Sequence, residues 1–169
     1  MKAAGVVLAI VLALALQTTI ARFVIRGTVA VDLVLVVVVY VALISGPVTG
    51  LLSGTVAGLV QDSLSGGVVG IGGLAKTIVG FLSGIVGTQF IVVQPLPRFV
   101  VFFSATLLHA LVFIGLSVLL DIREFGTPYA AATGQAVGNA LAGVVAFQLV
   151  ELLPGAVERR RAARGRMRR

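Results

Sequence analysis

The chain has 169 residues, is 59% hydrophobic and only 11% charged, and has a mean hydropathy of +1.14. Charges so few and so clustered cannot clothe a water-soluble domain of this size, so the composition points to a membrane-embedded chain. The formal charge of +7 does not signal nucleic acid, because seven of the thirteen basic residues are arginines in the last eleven positions, and the lack of cysteine excludes disulfides and Cys-based zinc or iron–sulfur sites.

Met1 and Lys2 precede an apolar run over about 3–21, close to the ~20 residues a helix needs to cross a bilayer. A cleaved signal peptide is the alternative, with Ala13-Leu14-Ala15 as an A-x-A site, but the equally apolar sequence downstream favours a retained span. Arg22, Arg26 and Gly27 form a turn, and a second run covers about 29–44. Its valines have strand propensity, yet lipid admits only helices and closed barrels, and barrel strands alternate as this run does not. Asp32, near its start, is placed to favour the positive end of the helix dipole.

Ser45, Gly46 and Pro47 break the chain again and open a third run over about 47–61. Gly46, Gly50, Gly54 and Gly58 recur at every fourth residue, and the next step of four lands on Asp62. Glycine costs a helix interior roughly 1 kcal/mol against alanine, so four at one spacing need a reason. The spacing places them on one face, where a second backbone can approach closely in lipid. At about 15 residues this run is short for a crossing, which leaves tilt, local thinning or a re-entrant path open.

A Gly/Ser turn leads into a fourth run over about 68–93, with Gly80 and Gly84 again four apart. Gln94-Pro95-Leu96-Pro97-Arg98 ends it. The fifth run, about 99–120, is bulkier, and Phe102, Phe103 and Phe113 are expected to face lipid or a partner. Thr127-Pro128 reads as cap and first helical residue of a sixth run over about 128–153, in which Gly134, Gly138, Ala142 and Ala146 recur by four. Helices three, four and six are therefore expected to touch. The chain divides into a six-helix all-α transmembrane domain, 1–155, and a basic tail, 156–169. Positive-inside bias places the tail in the cytoplasm, and six spans place the N-terminus there too. Beyond topology, the arginines suit anionic lipid or an acidic partner, at about 1 kcal/mol per residue near the surface.

Lys76 lies well inside the fourth run, where a charge costs roughly 2.5–3.5 kcal/mol on insertion scales. It either snorkels to the interface or pairs with Asp62, less readily with Asp32. His109 stands alone and is expected to be an interhelical hydrogen bonder; Gln135 and Asn139 share one face of the sixth helix, as do Gln148 and Glu151. Gly70 to Thr77 nearly spells a P-loop but lacks the preceding strand such a loop requires. With no nucleophile–base pair, carboxylate dyad or metal cluster to assemble, the sequence predicts neither an enzyme nor a cofactor.

The stretch from Gly50 to Gly84 resembles the core signature of the rod shape-determining MreD family, on Gly58, Leu59, Asp62, Leu64, Ser65 and Gly66, then Gly70 and Leu74, then Gly80, Phe81, Leu82 and Gly84. The resemblance implies a non-catalytic subunit of the bacterial inner membrane, acting in cell elongation with MreC, whose soluble part is periplasmic. It also implies links to the actin-like MreB and to the glycosyltransferase RodA with its class B transpeptidase, and a six-helix fold similar to the S components of energy-coupling-factor vitamin transporters. The extended arginine tail and Lys76 lie outside the family pattern. The rival reading is a small-molecule-binding S-type transport component, with Asp32, Asp62, Gln135 and Asn139 as the polar lining of its pocket.

Overall fold

The computed structural model describes residues 3–23, 31–66, 68–90, 94–121 and 129–152. Six helices, and no strand, occur among them: α1 (Ala3–Phe23), α2 (Leu33–Ser45), α3 (Pro47–Ser65), α4 (Ile71–Gln89), α5 (Pro95–Leu119) and α6 (Tyr129–Leu152). Three segments are long and apolar enough to cross a membrane: α4, α5 and Ala132–Leu152 of α6. The Arg26-Gly27 turn, residues 91–93, the Thr127-Pro128 start and the 156–169 tail lie outside the described residues.

Local chemistry moves several helix ends from where hydropathy alone puts them. Asp32 has extended backbone and its Oδ1 accepts the Leu35 amide at 3.0 Å, so α2 starts at Leu33 rather than near 29. α3 runs past Gln61 to Ser65 and stops at Gly66, whose φ of 68° closes the helix with a left-handed residue. At 19 residues, α3 is longer than the short run expected. The prolines after Gln94 start a helix rather than ending one: α4, expected over about 68–93, runs from Ile71 to Gln89 and is closed by the extended Phe90, while Pro95 occupies the first turn of α5, where its missing N–H costs nothing.

Consecutive helices are antiparallel. Gly50 faces Gly80 and Gly58 faces Gly73 across α3 and α4, while Arg98 meets Glu151 and Thr106 meets Asn139 across α5 and α6. The α1–α2, α3–α4 and α5–α6 connections therefore share one end of the bundle.

The central helix is α2, which touches all five others. Seven of its 13 residues are buried. Val34, Val38 and Val41 pack on Val6, Ile10, Ala13 and Leu14 of α1 and Ala57 of α3. Leu35, Val36 and Val39 pack on Val79 of α4, Phe102 and Ala105 of α5, and Ala140 and Phe147 of α6. A helix apolar on several faces can pack on several neighbours at once, and this is the physical meaning of its valine run. The expected cluster of helices three, four and six is corrected accordingly. α3 and α4 form the tightest pair, but α6 packs on α5 and α2 and, among the described residues, does not reach either of them.

The perimeter is apolar. Val7, Leu8, Val11 and Leu12 of α1, Val48, Leu52 and Val56 of α3, and Leu141, Val145 and Leu149 of α6 all point outward. Such continuous aliphatic exposure suits lipid rather than water.

Candidate functional site

The glycine ladder joins α3 to α4. A methyl group added to Gly50 would overlap the Gly80 carbonyl, and one on Gly80 would overlap that of Gly50; one on Gly54 would strike the Lys76 carbonyl, and one on Gly58 would lie 2.5 Å from the Gly73 Cα. Gly84 meets Pro47 in the same way. Backbone therefore lies on backbone along the whole pair, an approach that gains dispersion energy where lipid supplies no hydrophobic drive. Gly46 has another role. Its φ of 89° makes the turn between α2 and α3, and a side chain there would meet only Thr88, at 3.8 Å.

The ladder ends at Asp62, whose Oδ2 accepts the amides of Gly70 at 2.9 Å and Gly73 at 3.1 Å. A carboxylate on the first amides of α4 satisfies donors that the helix leaves open and suits the dipole. The room for it comes from Gly72, where a Cβ would collide with the Asp62 carboxyl.

Because Asp62 is committed to this cap, it does not pair with Lys76. The expected pairing is corrected: Lys76 Nζ lies 2.9 Å from Asp32 Oδ2, with both side chains buried. Lys76 Nζ also lies 3.3 Å from His109 Nε2, which acts as acceptor because an ammonium can only donate. Gln61 Nε2 approaches Asp32 Oδ1 at 3.4 Å. The Asp32 amide donates to Asn139 Oδ1 at 2.7 Å, and Asn139 Nδ2 donates to Thr106 Oγ1 at 3.1 Å. Gln17 accepts the Leu33 amide at 2.9 Å and donates to the Val31 carbonyl at 3.2 Å.

Each of the six helices thus contributes to one network around the start of α2. The pair is neutral as a whole, and its lone pairs and protons are mostly bonded within the protein. This is the condition under which buried charges are tolerated, whereas removing one partner strands the other.

A second ion pair closes the opposite end. Arg98 is 1% exposed, and its guanidinium binds Glu151 through two nitrogens, Nη1 to Oε2 at 3.2 Å and Nη2 to Oε1 at 2.5 Å. The same guanidinium sits 4.5 Å above the Phe147 ring. Arginine's planar fork suits both contacts at once. This clamp, like Thr106, Gln17 and Gln61, was not singled out as part of a site by sequence reasoning. The available signal was a charge or an amide interrupting an apolar run, which Arg98, Glu151, Gln17 and Gln61 each are; Thr106, a hydroxyl that also bonds its own helix at the Phe102 carbonyl, gave no such signal.

Other expected site residues are placed as follows. Phe102 is buried against Gly143, not facing lipid, and Phe103 and Phe113 are half-buried. Gly134 faces open space and Gly138 is half-buried; the close approach on α6 is made by Gly143 instead. Gln135 is half-buried and Asn139 fully buried, and Asn139 serves the network rather than an open pocket. Ser65 and Gly66 are exposed at the α3–α4 turn. Among the described residues no three His, Cys, Asp or Glu side chains gather where they could hold a metal ion.

No curated protein and no solved structure matches this chain. The family described as rod shape-determining protein MreD matches residues 2–153, which take in all six helices, the Asp62 turn and both ion pairs. The chain belongs to the MreD family, whose role is in determining rod cell shape.

Proposed function

We propose that this chain is a non-catalytic, six-span scaffold of the cell-elongation complex, which binds MreC and helps to hold the peptidoglycan-synthesis machinery in place. The single observation that supports this most is the shared network. Side chains of α3, α4, α5 and α6 join in one bonded chain about Asp32 at the start of α2, and Gln17 of α1 bonds the backbone on either side of it; such cross-linking favours a stiff body, which suits recognition on its outer faces. Of the four polar groups that the rival transport reading would need as pocket lining, Asp32 and Asn139 are bonded to each other and to Lys76 and Thr106, Asp62 caps the Gly70 and Gly73 amides, and Gln135 is half-buried.

On this reading the protein resides in the bacterial cytoplasmic membrane, with both termini in the cytoplasm and the 156–169 arginines against anionic lipid. On the same reading its fold is of the kind found in the vitamin-transporter S components. MreC is the direct partner, and MreB, RodA and the class B transpeptidase join the same assembly. Phe103 and Phe113 on α5 are the contact candidates that keep partial exposure.

Co-expression with MreC and affinity purification from mild detergent tests the reading. Stable co-purification, weakened by Phe103→Ala with Phe113→Ala, is the expected result. Absence of association, together with specific capture of a small polar ligand by the purified chain, would replace the scaffold with the transport component.

A further inference from the structure

The three connections at the Asp32 end differ in chemistry. The sequence places Arg22 and Arg26 at the α1–α2 connection, and Asp121, Arg123 and Glu124 at the α5–α6 connection. Between Asp62 and Lys76 there is no charge at all, and the α3–α4 connection exposes Leu64 (59%), Val68 (53%) and Val69 (57%); the end of α5 exposes Val118, Leu119 and Leu120 as well, but runs directly into Asp121, Arg123 and Glu124.

They differ in height as well. Gln61 of α3 and Asn139 of α6 both bond Asp32, and Thr106 of α5 bonds Asn139, so these residues mark one level. From that level α3 continues only to Ser65, α6 reaches back to Tyr129 and α5 runs on to Leu119. At 1.5 Å per residue these overhangs are roughly 6, 15 and 20 Å, so helix α3 ends about 9 Å below the top of α6 and about 14 Å below that of α5.

The one ionisable group at the turn, Asp62, is used internally. Its carboxylate caps the Gly70 and Gly73 amides, which need a partner wherever water is scarce. Leu64 continues the outward face of Val56 and Val60, the face that meets lipid.

We propose that the α3–α4 turn is seated in the boundary between lipid headgroups and acyl chains, with Leu64, Val68 and Val69 against lipid rather than projecting into water. The aliphatic trio supplies the interfacial anchoring, and the Asp62 cap makes the turn compatible with a poorly hydrated setting. α3 is thereby a complete but low-riding span, not a re-entrant one. The inference rests on membrane embedding, so the test carries its own reference for that premise.

The chain has no native cysteine, so single cysteines can be placed at Val69, at Leu64, at Leu120 beside the α5–α6 connection, and at Val56 on the lipid-facing middle of α3. Each is labelled with an environment-sensitive fluorophore in phospholipid nanodiscs, where both faces meet solvent. Quenching is then compared between aqueous iodide and lipids carrying a nitroxide near the headgroup end of the acyl chain. Positions 69 and 64 are expected to be quenched by the nitroxide lipid and to lose iodide quenching, while position 120 shows the reverse. Iodide quenching at both 69 and 64 equal to that at 120 would overturn the proposal, as would shielding of both from either quencher, which would mean that protein covers the turn. Failure of the nitroxide lipid to quench position 56 would overturn the embedding premise itself.

Discussion

Asp32 and Lys76 meet 2.9 Å apart at the buried start of α2, although Asp62 is much nearer to Lys76 in sequence. The geometry separates two jobs that look interchangeable on paper: Asp62 caps a helix, and Asp32 neutralises a cation.

Asp32→Asn keeps an oxygen for the Leu35 amide but strands the Lys76 ammonium, and Lys76→Met strands the Asp32 carboxylate. Each single change should cost about 3–5 kcal/mol, while the double change should cost less than either, because no uncompensated charge remains. Thermal unfolding of the four proteins in one detergent gives the cycle. Simple addition of the two losses would show that the residues are not coupled.

Asp62→Ala removes two amide bonds at the start of α4 and should destabilise by about 1–2 kcal/mol. Combined with Lys76→Met its effect should add to within about 0.5 kcal/mol. Strong coupling between Asp62 and Lys76 in the same assay would contradict the assignment.

Gly50→Ala and Gly80→Ala each put a methyl group into the opposing carbonyl and should cost about 1–3 kcal/mol or more, through separation of α3 from α4. Gly134→Ala and Gly115→Ala meet open space and should be neutral or mildly stabilising, since alanine is the better helix former by about 1 kcal/mol in water. The contrast is read from melting curves, and equal sensitivity at all four positions would refute the packing.

Arg98→Lys keeps a positive charge but loses the two-pronged contact with Glu151 and the fit over Phe147, so it should recover little of the loss seen in Arg98→Ala. A loss of about 2 kcal/mol or more for both variants is expected, the range for a buried charge left without its partner. Full recovery by lysine would reduce the site to charge alone.

The helices were legible because apolar runs and their breaks are local, and the glycine ladder because a period of four survives in one dimension. Pairing was not. The spacing Gly134, Gly138, Ala142, Ala146 is as regular as the buried set Ala136, Asn139, Ala140, Gly143, Phe147, and periodicity alone cannot say which face a helix turns inward. Lys76 was recognisable as a charge needing a partner, but the choice between two aspartates depends on where the first amides of α4 lie. Arg98, beside two prolines, read as a loop residue, since proline both ends helices and opens them, and here Pro95 opens α5.

The two ion pairs also limit how this protein can move. Asp32–Lys76 ties α2 to α4 at one end, Arg98–Glu151 ties α5 to α6 at the other, and the Asp32–Asn139–Thr106 chain joins the two sets. A helix that slid by one turn, about 5.4 Å, would break a contact at one end or the other. These contacts oppose sliding of α2, α4, α5 and α6 past one another, so the four helices are held in register from one end of the bundle to the other.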